Sequence, residues 1–167
     1  MGSTHITENR MTMIRQQTHQ PRSGGWSDLL MLVKPSITFM AVFTALGGMW
    51  LAPGELGFGL VAATLLGTAL IVAAANTLNC YIERDSDRFM ARTKGRPLPA
   101  GRMNPKHALI LGCALAAISV PILTFAINPV TGVLGLIALV IYVSIYTPMK
   151  QVSPMALWVG AIPGAMP

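Results

Sequence analysis

The sequence predicts an all-α fold: a polytopic bundle of transmembrane helices with four spans and the start of a fifth. Three observations carry this. Of 167 residues, 53% are hydrophobic and only 11% are charged, against roughly a quarter charged in soluble domains. The apolar residues form blocks near the roughly 20 residues a helix needs to cross a bilayer core of about 30 Å. The Lys and Arg fall in alternate loops between those blocks, and so on one side of the membrane, as the positive-inside rule requires. Alternating strand patterns are absent, which argues against a barrel.

The elements follow in order. Residues 1–25, "MGSTHITENRMTMIRQQTHQPRSGG", are polar, lack an apolar core and end in Ser-Gly-Gly. They read as a disordered cytoplasmic tail rather than a secretory signal. His5 and His19 in that tail read as solvated. Residues 26–167 form the membrane domain. "WSDLLMLVKP" predicts a short amphipathic helix on the membrane surface, capped by Ser27 or Asp28 and stopped by Lys34-Pro35. Spans are expected over about 35–52, 57–81, 107–127 and 130–146, with an incomplete fifth over 154–167. "APGELG", the Asn-Pro at 128–129 and "TPMKQVSP" supply the turns. Glu55 is most simply a turn residue. Gly160 and Gly164, four apart with Pro163 between them, predict close helix packing.

Charge placement gives orientation. Arg10, Arg15, Arg22 and Lys34 precede the first span. Arg84, Arg88, Arg92, Lys94, Arg96, Arg102 and Lys106 lie between the second and third, and Lys150 follows the fourth. The other two loops hold no Lys or Arg. The positive-inside rule then puts the tail and the 83–106 loop in the cytoplasm, in a multi-pass protein of a bacterial inner membrane. The net charge of +6 does not point to nucleic acid, because the cations lie between apolar blocks and form no soluble basic face. Cys80 and Cys113 have no metal-type spacing and read as packing residues. The eleven methionines read likewise, and His107 reads as an interfacial histidine. Tyr81, Tyr142 and Tyr146 fit an aromatic belt.

The chemistry concentrates in "NCYIERDSDRFMARTKGRPLP", residues 79–99. Asn79, Glu83 and Asp87 are spaced i, i+4, i+8. Each step of four on a helix drifts by only about 40°, so the three share one face. Asn76 lies close to that stripe. Asp85 points away and is expected to be solvated or paired with Arg88. Two carboxylates and an amide oxygen are hard ligands that suit Mg²⁺ completed by water and phosphate. Arg92, Lys94 and Arg96 follow at once, and guanidinium and ammonium groups hold phosphate oxygens. Tyr146 and Lys150 fall at the same end of the bundle, Tyr146 as a cavity-lining residue. A lipid with a diphosphate head fits such a site. The plainer reading is that Glu83, Arg84, Asp87 and Arg88 are surface helix pairs, which are common beside membrane ends.

"NCYIERDSDRFMARTKGRPL" closely resembles the first acidic motif of the UbiA-type intramembrane prenyltransferases. Its "RTKGRPL" continuation resembles the protoheme IX farnesyltransferase (haem O synthase) branch. "VKP" at 33–35, "YTPMK" at 146–150 and "VGAIPGAMP" at 159–167 resemble further family segments. The resemblance runs from about Leu30 to Pro167. It implies that Asn79, Glu83 and Asp87 bind a Mg²⁺–diphosphate and that Arg92, Lys94 and Arg96 contact the diphosphate. The implied reaction joins farnesyl diphosphate to a vinyl group of haem B, giving haem O. A homo-oligomer or a haem-pathway enzyme is an implied partner, beside the lipid bilayer itself. Gln151 stands where the family commonly has a second basic residue, and Ala156 where many members carry Asn. The family also has later spans with a second acidic motif. The chain thus corresponds to an N-terminal half, which on its own is expected to be inactive.

Rival readings are a prenyltransferase for a quinone precursor or chlorophyllide, an ion transporter, and a structural subunit. A transporter calls for acids deep within spans. Here the Asp and Glu lie in the tail, in loops or at a helix end. A structural subunit leaves the helical spacing of the stripe unexplained.

Overall fold

The computed structural model describes residues 25–54 and 56–165. The tail ahead of Gly25, with its Arg10, Arg15, Arg22, His5 and His19, and Glu55 lie outside the described residues. Among the described residues six helices run in order: α1 Trp26–Val33, α2 Pro35–Leu51, α3 Phe58–Asp87, α4 Pro105–Ile127, α5 Pro129–Met149 and α6 Ala156–Gly164. No strand occurs among the described residues. Helices α3, α4 and α5 are long and apolar enough to cross a membrane. The pair α1–α2, bent by 48°, makes a fourth when counted as one span.

Each boundary has a local cause. Lys34 takes the left-handed conformation at φ 49°, a common way for a helix to end, at a position where the following proline disfavours the right-handed helix region. That stops α1, and Pro35 starts α2 where a missing N–H costs nothing. Asn104-Pro105 and Asn128-Pro129 repeat a different device. The Asn104 side chain accepts from Lys106 N at 3.0 Å, and Asn128 accepts from Val130 N at 2.9 Å, with proline at the first helical position of α4 and α5. The expected cap of α1 is absent: Gly25 holds that position with no side-chain bond, and Asp28 is engaged elsewhere.

Prolines also set the helix interiors. Pro121 cannot donate to the preceding turn, and α4 continues from it as a wider π-type helix over Ile122–Ile127. Residues Ile141–Tyr146 of α5 are wound the same way just ahead of Pro148. Such segments break the regular ladder and are frequent at functional sites.

Helix α3 is central, packing against α1, α2, α4 and α5. Small residues let its neighbours approach. A Cβ on Gly67 would lie 2.6 Å from Leu123 Cδ2, and one on Gly112 would lie 2.7 Å from Leu78 Cδ2. Ser119 Oγ donates to the Gly67 carbonyl at 2.8 Å across the same contact. The buried residues of α3 run Gly67, Thr68, Ala73 and Ala74, then Asn76, Thr77, Asn79, Cys80, Glu83 and Asp87. One helix face therefore turns from small and apolar to polar toward its C-terminus. Helix α3 runs six residues past the end of the predicted span and carries the acidic stripe into regular helix. Cys80 is buried beside Leu32, Leu98 and Ala108, while Cys113 is exposed.

Candidate functional site

The stripe is buried rather than solvated. Asn79 is 0% exposed, and Glu83 and Asp87 are each 4% exposed, which is rare for carboxylates unless they are paired. Partners come from two other segments. Arg96, in the connector between α3 and α4, donates through Nη1 to Asp87 Oδ2 at 2.6 Å and lies 3.7 Å from Glu83 Oε2. Lys150, just past α5, brings Nζ to 2.5 Å from Glu83 Oε1. That oxygen is fully covered, yet it accepts no aligned hydrogen bond. The contact is an ion pair. The surface-pair reading of these acids is therefore not what the fold adopts.

Asn79 links the acids to α5. Its Nδ2 donates to Glu83 Oε2 at 3.2 Å, and its Oδ1 lies 3.3 Å from the hydroxyl of Thr147. Thr147 is itself 0% exposed and also donates to the Tyr142 carbonyl at 2.8 Å. Gln151 accepts from Ser86 Oγ at 3.0 Å, a second tie between the ends of α3 and α5. Lys34 lies near the same charges. Burial pushes its ammonium below the usual lysine range; Cys80 opposes this, Arg96 and Lys150 add to it, and Glu83 opposes it.

Other sequence candidates are placed differently. Arg92, Lys94 and Arg88 are exposed and form no ion pair among the described residues. Asp85 is solvated as expected, but its partner is Arg84 at 3.5 Å, not Arg88. Arg84 also donates to the Tyr81 carbonyl at 2.9 Å. His107 is exposed and lines a separate groove with Trp26 and Arg102. Spacing within a helix could not reveal Thr147 or the closeness of Lys34. Their signal was position: both lie at the membrane ends that the charge pattern assigns to one side.

An apolar cavity of about 340 Å³ opens behind the polar cluster. Asn76, one turn before Asn79, lines it together with Ile37, Met40, Ile71, Leu139 and Tyr142. Asn76 Nδ2 donates to the Val33 carbonyl at 3.4 Å, tying the junction of α1 and α2 to α3. Gly160 also lines the cavity, and a Cβ there would lie 2.7 Å from Tyr146 Cε2. The paired glycines thus shape the bundle interior. Tyr146 stacks on Tyr142 at 5.2 Å and lies 5.6 Å below Lys150 Nζ. The arrangement joins a charged head region to a hydrocarbon-lined chamber.

The chain is similar to known proteins. The profile described as the UbiA prenyltransferase family matches residues 41–167. A protein named protoheme IX farnesyltransferase from Anaeromyxobacter dehalogenans is 54% identical over 140 residues, 84% of this chain and 48% of the relative. One of the same name from Myxococcus xanthus is 53% identical over 141 residues, again 84% of this chain and 48% of the relative. The human mitochondrial protein of that name is 40% identical over 139 residues, 83% of this chain and 31% of the relative. The chain spans about half the length of the bacterial relatives it matches. No solved structure matches. With three apolar helices long enough to span, or four when the bent α1–α2 pair counts as one, an acidic stripe at the end of α3 and these relatives, the chain belongs to the UbiA prenyltransferase family.

Proposed function

We propose that this chain supplies the first diphosphate half-site and much of the prenyl chamber of a protoheme IX farnesyltransferase. The observation that carries the reading is the meeting of Glu83 and Asp87 with Arg96 and Lys150; the two acids lie on the same helix α3 whose Asn76, one turn before Asn79, lines the apolar cavity. The names of the relatives supply the acceptor. In the reaction, the C–O bond of farnesyl diphosphate breaks and the diphosphate leaves with the electron pair. The farnesyl carbon bonds to the terminal carbon of a haem B vinyl group. Water adds to the neighbouring carbon and releases a proton.

Asn79, Glu83 and Asp87 are the residues that would hold Mg²⁺. The donor set fits: two buried carboxylates and an amide oxygen, with Glu83 Oε1 meeting only the Lys150 ammonium. No group of three or more His, Cys, Asp or Glu side chains among the described residues could hold a metal alone. The stripe therefore needs oxygens from water and phosphate, which is the way Mg²⁺ is commonly bound. When bound, Mg²⁺ would neutralise charge developing on the leaving diphosphate. Arg96 and Lys150 do the same from the protein, as preorganised cations in a partly water-excluded site. Arg92 and Lys94, exposed beside them, attract the anion and meet its outer oxygens. Ile37, Met40, Ile71 and Leu139 enclose the prenyl tail and keep water from the allylic cation. The charged end faces the cytoplasm of a bacterial cell, by the placement of Lys and Arg.

The test uses the full-length protein in membranes with haem B, farnesyl diphosphate and Mg²⁺, beside Asp87→Ala. Haem O detected by mass spectrometry from wild type only is the expected result. Prenylation of a quinone precursor or chlorophyllide instead would keep the diphosphate site and discard the haem acceptor. No product with any acceptor, from folded protein, would overturn the reading.

A further inference from the structure

Helix α1 buries two residues, Asp28 and Leu32, one turn apart on one face. Asp28 is 0% exposed, an unusual place for a carboxylate on a short surface helix. Its partner is Arg102, at the far end of the connector. Arg102 Nη2 donates to Asp28 Oδ1 at 3.0 Å, and its Nε donates to the same oxygen at 3.2 Å. The same Nη2 donates to the Gly95 carbonyl at 3.0 Å. Gly95 immediately precedes Arg96, whose guanidinium holds Asp87 at 2.6 Å.

The contacts therefore run in series from Asp28 through Arg102 and the Gly95 carbonyl to Arg96 and Asp87. A second contact runs in parallel: Leu32 packs with Leu98 in the apolar cluster beside Cys80 and Ala108. Between these two anchors the connector is a chain of turns. Arg96 N donates to Thr93 O at 2.9 Å, and Arg102 N donates to Pro97 O at 2.9 Å. Turns without a helix or sheet ladder hold a side chain in place only if they are tied down, because each free residue carries backbone entropy. Arg102 spans both ties, since its planar fork meets a carboxylate and a carbonyl together.

We propose that Asp28 is a positioning residue for prenyl diphosphate. Through Arg102 it fixes the connector so that Arg96 is presented to the diphosphate, although α1 supplies no ligand of its own. This inference rests on the diphosphate reading above. It separates from a purely stabilising role because its effect must pass through Arg96.

The experiment uses the full-length protein with Asp28→Asn, Asp28→Ala and Arg102→Lys, each alone and combined with Arg96→Ala. Two quantities are read: hydrogen exchange of the amides across 93–103, and KM and kcat for prenyl diphosphate and for the acceptor. Asp28→Asn should speed exchange in that segment. It should lower kcat/KM for prenyl diphosphate by about 10- to 100-fold, mainly through KM, the scale of a small misplacement of a binding group. The acceptor KM should not move. In the Arg96→Ala background the same change should cost less than about twofold, since coupled residues are not additive. Arg102→Lys should behave like Asp28→Asn, because an ammonium cannot make both bonds. Unchanged exchange in Asp28→Asn would overturn the proposal, and so would an equal loss in both backgrounds. Should Asp28→Ala fail to fold, the near-isosteric Asn variant decides. A wild type that transfers no prenyl group would bring down the diphosphate reading and this role with it, while the exchange measurement shows separately whether the tie exists.

Discussion

Lys150 Nζ lies 2.5 Å from Glu83 Oε1, joining the end of α5 to the acidic stripe of α3 across 67 positions of sequence. Glu83 is nearly fully buried, whereas the Lys150 side chain keeps a third of its surface in contact with solvent. Breaking a wholly buried pair by removing one partner costs about 3–5 kcal/mol. Partial exposure of the lysine lowers that figure. Lys150→Met is expected to destabilise the protein by about 1–2 kcal/mol and to weaken prenyl diphosphate binding, while Lys150→Arg keeps most of both. Thermal unfolding and diphosphate titration of the full-length variants check this. An unaffected Lys150→Met would mean that Glu83 is neutralised by Arg96 alone.

Glu83→Gln and Asp87→Asn keep volume but remove the charges facing Arg96 and Lys150. Each is expected to lower turnover of the full-length enzyme by about 100-fold or more, the scale seen when a preorganised electrostatic group is lost. Arg96→Ala should fall in the same range. Arg92→Ala and Lys94→Ala, at exposed positions with no acidic partner among the described residues, should raise KM for prenyl diphosphate by a few-fold and reduce its salt dependence. Parallel kinetics at two ionic strengths distinguish the two groups.

Thr147 holds the amide of Asn79 while satisfying the Tyr142 carbonyl. Thr147→Val removes the hydroxyl, whose single proton the Asn79 and Tyr142 oxygens share, at a cost of about 1–3 kcal/mol. Thr147→Ser retains the bond. A stability difference between the two variants, read by unfolding in detergent, is the expected outcome.

Gly160 and Gly164 both line the cavity, but they face different surroundings. A methyl group at Gly160 meets Tyr146 Cε2 at 2.7 Å, while at Gly164 nothing lies within 4 Å. Gly160→Ala is expected to displace the Tyr146 ring and cost about 1–3 kcal/mol through overpacking. Gly164→Ala should be close to neutral. Comparing unfolding midpoints of the two single variants tests the asymmetry.

The sequence by itself determined the apolar segments, their helical character and the shared face of Asn79, Glu83 and Asp87. Bilayer thickness, hydrogen-bond closure within a helix and the helical period are local constraints, readable from runs of residues. It also set the breaks at Lys34-Pro35, Asn104-Pro105 and Asn128-Pro129, because proline and its neighbours act within a few bonds. Tertiary structure alone decided which cation serves which acid. Arg96, Arg92 and Lys94 have nearly equal claims in a string of letters, yet only Arg96 is held toward Asp87. The reason is that Arg102 and Asp28, 74 positions apart, fix the Gly95 carbonyl beside it. The burial of Asp28, the reach of Lys150 to Glu83 and the seat of Thr147 on Asn79 depend in the same way on how α1 and α5 pack against α3. Contacts between distant segments are set by packing and by the matching of buried charges, and neither has a period that a sequence can display.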